Sequence, residues 1–182
     1  MNGALARRVN PGLRIVPLRG NVPTRVGKVG GGELDAVLLA AAGLHRLELV
    51  PHIAEHLDPE GFCPAPAQGI LALQCREDDG HVRELLAALR DEDATIAAAA
   101  ERGFVQRLGA GCTVPMGCHA VRRGDALTVH GLVVHPSGTP CFEERREGPV
   151  SDAAALGHAL AESLLAAGAD RVLADLAHLE PG

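Results

Sequence analysis

Two short turn sequences, Arg123-Gly124-Asp125 and Pro136-Ser137-Gly138, cut residues 116–147 into three strand-like runs, 116–122, 126–135 and 139–147. Turns this short join only neighbouring antiparallel strands, so the segment is restricted to a three-stranded meander. Such a sheet needs a covering layer. The flanking sequence predicts one. Residues 93–108 read as a strong helix, with Asp91 or Asp93 as cap, high-propensity Ala97 to Ala100, and Gly109 to Gly111 as terminator. After the third strand, 151–167 (with Ser151 as cap) and 169–178 predict two closing helices. The second half is therefore expected to be a small α+β domain.

The first half has a different grammar. Apolar runs at 13–18 (LRIVPL), 34–42 (LDAVLLAAA) and 70–75 (ILALQC) predict strands. Short helices are expected around 25–29, 44–49 and 52–57, the last stopped by Asp58-Pro59, and a longer one over 79–89. CPAPAQG at 63–69 is a Pro-rich connector. Strands separated by helices form parallel sheets, which need several strands with both faces covered, and three candidates are too few. The first half thus reads as the tail of a larger α/β unit.

Hydrophobic residues make up 47% of the 182, enough for packed cores and against disorder. With no Trp, no Tyr, three Phe and a net charge of −6, the chain lacks the stacking surfaces and overall field of a nucleic-acid binder. No apolar run reaches membrane-spanning length and no secretory signal is visible, so a cytoplasmic location is expected. Five cysteines without a C-x-x-C pair fit reduced thiols better than disulfides or zinc. Lys28 is the only lysine. The arginine excess reflects coding bias or planar recognition of carboxylates.

Two constellations could carry chemistry. Cys112, in GAGCTVPMG, follows a helix end between glycines that leave its sulfur approachable. Cys75 and Cys141 read as small core residues, Cys63 is ambiguous, and Cys118 faces either the core or Cys112. Arg19, Arg25 and Arg46 lie after the first and second predicted strands, which would place them at the carboxyl edge of one sheet, where α/β proteins bind ligands. Three converging guanidinium groups would suit a polycarboxylate; by spacing alone they could equally be solvated surface arginines. His52 and His56 lack a third ligand, so no metal site is expected. Gly30-Gly31-Gly32 lacks a following Lys-Ser/Thr and reads as a turn. Glu143 to Glu147 read as a solvated edge, and Glu77 to Asp79 as a helix lead-in.

Together these features resemble the porphobilinogen deaminase (hydroxymethylbilane synthase) family. The resemblance is carried by PLRGNVPTRVGKV at 17–29, GELDAVLLAAAGLHRL at 32–47, LDPEGFCPAPAQGILALQCRED at 57–78 and AERGFVQRLGAGCTVPMG at 100–117. It implies that Cys112 carries a dipyrromethane cofactor through a thioether, and that Arg19, Arg25 and Arg46 bind acetate and propionate groups of that cofactor and the growing polypyrrole chain. It further implies a transferase of tetrapyrrole and haem biosynthesis, which deaminates four porphobilinogen molecules and joins them head to tail.

The resemblance also implies a division of the chain. Residues 1–66 correspond to the back part of family domain 2, an incomplete periplasmic-binding-protein-like α/β unit; 67–90 to a returning segment of domain 1; and 91–182 to the cofactor-anchoring α+β domain 3. On this reading the chain is N-terminally truncated. The family's catalytic aspartate and a Ser-Leu-Arg-Arg stretch belong to the missing part, so no catalytic residue is assigned here, and the chain alone is expected to be inactive or nearly so. Arg7 and Arg8 match a less functional arginine pair. Ala67 stands where the family usually has Gly, and Pro23 is a second departure. The alternatives are a non-catalytic binder of tetrapyrroles or pyrrole carboxylates, and one half of a split enzyme whose N-terminal half is supplied by a separate chain.

Overall fold

A computed structural model describes residues 1–109 and 114–177. In its second half, strands β1 (Met116–Arg123), β2 (Ala126–Val134) and β3 (Cys141–Pro149) form the expected antiparallel meander in the order β1-β2-β3, with His119 opposite His130 and Gly131 opposite Glu144. β2 sorts its side chains by the period of two that a strand imposes. Leu127, Val129 and Val133 enter one core, while Leu132 and Val134 enter another on the opposite face.

The first core lies under helices. The helix predicted at 93–108 spans Glu92–Leu108; Asp91 caps it by accepting from the Ala94 amide at 2.8 Å, and Gly109 ends it in the left-handed region at φ 61°. The helix Ala153–Leu164 lies against it at glycine contacts. A Cβ at Gly157 would collide with the Ala100 carbonyl, and one at Gly103 with that of Ala154. The absence of side chains at both crossing points lets the backbones approach closely. Phe104 and Leu160, both fully buried, press on Gly131 of β2. The predicted Ser151 cap does not form: Ser151 donates to the neighbouring Asp152 carboxylate, and Val150–Asp152 make a 3-10 turn first. A kink at Gly168 (φ 114°) separates this helix from Asp170–Ala177.

The second core is closed by the beginning of the chain. The helix Asn2–Val9 sets Ala4 and Leu5 against Leu132 and Val134, with Cys63 buried among them. Arg7 donates to the Pro136 carbonyl at 2.9 Å, and Arg8 pairs with Glu143 at 2.7 Å. The Cys118 amide of β1 donates to the Pro64 carbonyl at 3.0 Å, so the Pro-rich connector is fastened along the edge of the sheet.

The first half departs from expectation. No strand forms at 13–18, 34–42 or 70–75 among the described residues. The last two residues of the second run join the helix Ala41–Arg46, and the rest is extended without ladder partners. The cause is the shortage of neighbours anticipated above: an extended run becomes a strand only beside another. The helix expected at 25–29 is longer, Val22–Gly30, whereas 52–57 forms no helix beyond the 3-10 turn Val50–His52. Residues 79–89 supply the helix Gly80–Ala87, capped by Asp79 through the Val82 amide at 3.1 Å.

Candidate functional site

Arg25 sits on a locally built platform. Asn21 caps its helix, accepting from the Thr24 amide at 3.0 Å and from the Thr24 hydroxyl at 2.7 Å, while Pro23 occupies the first turn, where its missing N–H costs nothing. Gly20 turns the chain into the cap at φ 115°, and the Arg25 Nε donates back to its carbonyl at 2.7 Å. The guanidinium is thereby aimed while its remaining N–H groups stay available. Arg19 immediately precedes this turn and is exposed.

Arg46 is the exposed last residue of Ala41–Arg46. That helix meets the Arg25 helix closely, since a Cβ on Gly43 would lie 3.3 Å from Val22. The expected placement of all three arginines at the carboxyl edge of one sheet is not realised, because that sheet is absent among the described residues. What links Arg25 and Arg46 is a contact between two short helices. None of the three arginines forms an ion pair with a carboxylate among the described residues, in contrast to Lys28, which pairs with Glu33 at 3.0 Å. Each guanidinium therefore keeps N–H groups suited to a carboxylate.

Cys112 lies outside the described residues. The other thiols are poor nucleophiles or incompletely sheltered. Cys63 and Cys118 are fully buried, and burial pushes the Cys63 thiol up to about 12 and the Cys118 thiol further in the same direction. Cys118 therefore faces the core. Cys141 is half-buried and also raised by burial, whereas Cys75 occupies an unpaired extended segment rather than a buried strand.

Two polar features depart from the sequence reading, which passed over Glu101 and took Glu143 for part of a solvated edge. Glu101, buried on the inner side of its helix, accepts from the Ala67 amide at 2.5 Å and the Ala120 amide at 3.0 Å. Burial raises its pKa despite those two hydrogen bonds. Its only signal was one acid interrupting an alanine-rich helix. The second feature is a relay across the outer core, where His130 Nε2 lies 2.8 Å from Glu143, which also holds Arg8. Burial alone would raise the Glu143 carboxyl, but the bonds to Arg8 and His130 outweigh it and hold the group below its ordinary range. A cavity of about 700 Å³ opens in the first half, lined by Val37, Leu39, Ile53 and Phe62 among others and by Val26, Gly27 and Leu44 from the helices that carry Arg25 and Arg46, while none of the three arginines lines it.

By fold, the chain holds a helix-covered antiparallel meander whose outer face is closed by the helix Asn2–Val9. Two family models match it in succession, the dipyromethane cofactor binding domain of porphobilinogen deaminase over residues 3–84 and the C-terminal domain of porphobilinogen deaminase over 95–166. The chain belongs to the porphobilinogen deaminase family. It is 49% identical over 166 residues to the porphobilinogen deaminase of Syntrophotalea carbinolica, a match covering 91% of this chain and 53% of the relative. The Corynebacterium diphtheriae porphobilinogen deaminase is 42% identical over 92% of this chain and 57% of its own length. The chain thus spans about half the length of the curated relatives it matches. No helix among the described residues is long and apolar enough to cross a membrane.

Proposed function

We propose that this chain supplies the cofactor-holding part of a hydroxymethylbilane synthase, with Cys112 as the covalent anchor of dipyrromethane and Arg19, Arg25 and Arg46 as its carboxylate binders. The observation that carries this reading is the presence of three arginines without carboxylate partners among the described residues, on and beside adjoining helices, in a chain matched to the dipyromethane cofactor binding domain. When bound, the cofactor supplies a tethered pyrrole primer to which porphobilinogen units are added. The arginines of this chain neutralise acetate and propionate groups and fix the register of the polyanion, and the anchor turns each addition into an effectively intramolecular encounter. The high pKa of Cys63 and the burial of Cys118 make them weak competitors for alkylation, which favours Cys112.

In this reading residues 1–66 belong to a periplasmic-binding-protein-like α/β unit completed by polypeptide outside these residues, 67–90 return to a second such unit, and 91–182 form the anchoring domain. The protein works in the cytoplasm, and its catalytic aspartate lies in the completing portion, carried by a separate chain in the split-enzyme form. Intact mass spectrometry tests the anchor: a dipyrromethane increment on Cys112, abolished in Cys112→Ala, is expected, and a bare thiol at Cys112 in folded protein overturns it. For the arginines, porphobilinogen binding by calorimetry should weaken at least about tenfold in each Arg→Ala variant, as loss of a charge-assisted bidentate contact implies. Robust hydroxymethylbilane formation by these 182 residues alone would overturn the placement of the catalytic group elsewhere.

A further inference from the structure

Strand β3 lies at the edge of the sheet, and its charged run Glu143 to Glu147 alternates between two faces. Glu144 and Arg146 lie opposite Gly131 and Val129, on the side of the helices; they pair with each other at 2.9 Å, and Glu144 also accepts from the Ser163 hydroxyl. Glu143 and Arg145 lie opposite Leu132 and His130, on the outer face, and each holds a different stretch of the first half. Glu143 takes Arg8 at 2.7 Å and is steadied by the buried His130. Arg145 takes Glu60 twice, donating to its carboxylate at 3.2 Å and to its carbonyl at 2.9 Å, while Arg123 stands 4.0 Å from the same carboxylate.

Both attachments are stems of one segment. Arg8 lies near the end of the helix Asn2–Val9, whose backbone runs so close to the β2–β3 turn that a Cβ on Gly138 would lie 2.8 Å from the Arg8 amide nitrogen. Glu60 opens the return stretch, which continues into the buried Cys63 and the Pro64 carbonyl that accepts from Cys118. Residues 10–59 between them contain Arg19, Arg25 and Arg46, and only Leu44 is buried there. With so little buried surface of its own, the segment takes its pose from its two stems.

We infer that Glu143 and Arg145 are positioning residues for the three arginines: through Arg8 and Glu60 they set the pose of 10–59 against the domain whose helix Glu92–Leu108 precedes Cys112. What the arginines bind rests on the proposed function; how β3 poses them does not. The order of charges makes the placement unique. Each stem meets its opposite on β3, two residues apart along the strand, whereas exchanged stems would set Arg8 against Arg145 and Glu60 against Glu143. Like charges repel at that range, so the wrong pose is disfavoured as well as the right one favoured. The paired donation from Arg145 to Glu60 adds direction to charge, because a guanidinium fork satisfied by a carboxylate and a carbonyl of one residue admits few orientations.

Nitroxide labels at Lys28→Cys, on the helix of Arg25, and at Asp125→Cys, in the β1–β2 turn, read that pose by double electron–electron resonance. Cys75, Cys112 and Cys141 are replaced by Ser for this measurement, and the buried Cys63 and Cys118 stay unlabelled. One narrow distance distribution is expected. Arg8→Glu and Arg145→Glu, which set like charges at the two stems, should each broaden it at least about twofold. Glu60→Arg added to Arg145→Glu should return it to the parent width, since Arg123 is exposed and can turn to solvent. Amide exchange at 127–133 monitors the fold of the meander; if Arg8→Glu unfolds it, the reversal at the exposed Arg145–Glu60 pair carries the test. A width unchanged by reversal in folded protein overturns the inference, and so does a swapped pair that fails to restore it. In the chain with its native cysteines, porphobilinogen affinity by calorimetry should fall at least about fivefold in Arg145→Glu and recover with Glu60→Arg. An affinity indifferent to the displaced segment overturns the positioning role. If the parent chain binds no porphobilinogen, the proposed function fails while the distances still decide the pose.

Discussion

Ala67 donates its amide to Glu101 at 2.5 Å while holding a φ of 60°, in the left-handed region that a residue with a Cβ enters at a cost of about 1–2 kcal/mol. The same carboxylate takes the Ala120 amide of β1. One buried acid therefore fastens the Pro-rich connector to the meander and holds the connector's strained residue in place.

Replacing Ala67 with Gly should remove that strain and raise stability by about 1 kcal/mol. Replacing Glu101 with Ala should lower it by about 1–3 kcal/mol, because the Ala120 amide is left buried without an acceptor. Urea unfolding of the two variants checks both signs. A destabilised Ala67→Gly would mean that the left-handed conformation is not what the native state holds there.

The two unusual carboxylates bias stability with pH in opposite directions. Glu143 is lowered from 4.5, so its contribution is complete above the unfolded value and is lost as pH falls through the lower folded one. Glu101 is raised, so its contribution is greatest below 4.5 and declines as pH rises through the higher folded value. Because Gln mimics the protonated acid, stability curves for Glu143→Gln and Glu101→Gln between about pH 3 and 7 should both approach the parent at the acid end and part from it in opposite directions as pH rises, Glu143→Gln falling below the parent and Glu101→Gln rising relative to it.

The helix crossing predicts a contrast between two glycines. Gly157→Ala drives a Cβ into the Ala100 carbonyl and should cost about 1–3 kcal/mol, as overpacking does. Gly27→Ala, in a helix with open space at that position, should gain about 0.5–1 kcal/mol. Thermal melts of the pair measure the difference, and equal shifts would contradict the close approach.

Thiol reactivity should be ordered by burial. In native protein at pH 8, an alkylating reagent is expected to leave Cys63 and Cys118 unmodified and to label them only on unfolding. Peptide mapping by mass spectrometry reads each site separately. Rapid native labelling of Cys63 would show that the outer core opens readily.

The legible part of the chain was the part whose elements find partners nearby. The meander, its two turns and the helix from Glu92 to Leu108 could be read because hairpin partners and caps lie within a few residues of one another. Runs such as Ile70 to Cys75 read as strands from their apolar residues, but no strand forms there among the described residues, because pairing is a relation to other chain segments that a local run does not encode. Arg19, Arg25 and Arg46 read as residues of one sheet edge, whereas Arg25 stands on a capped helix, Arg46 on a helix that touches it and Arg19 ahead of the cap. Glu101 and Glu143 could not be picked out, because their roles arise from long-range contacts to Ala67, Ala120 and Arg8.

The helix Asn2–Val9 covers Leu132 and Val134 of the central strand, although more than 120 residues of sequence separate them. Ribosomal synthesis delivers that helix well before the strand it shelters. Until β2 emerges, Ala4 and Leu5 have no floor to rest on, and once it has emerged, a chain clipped after Val9 would leave a greasy sheet face bare. The helix Asn2–Val9 is thus a closure that waits for its vessel.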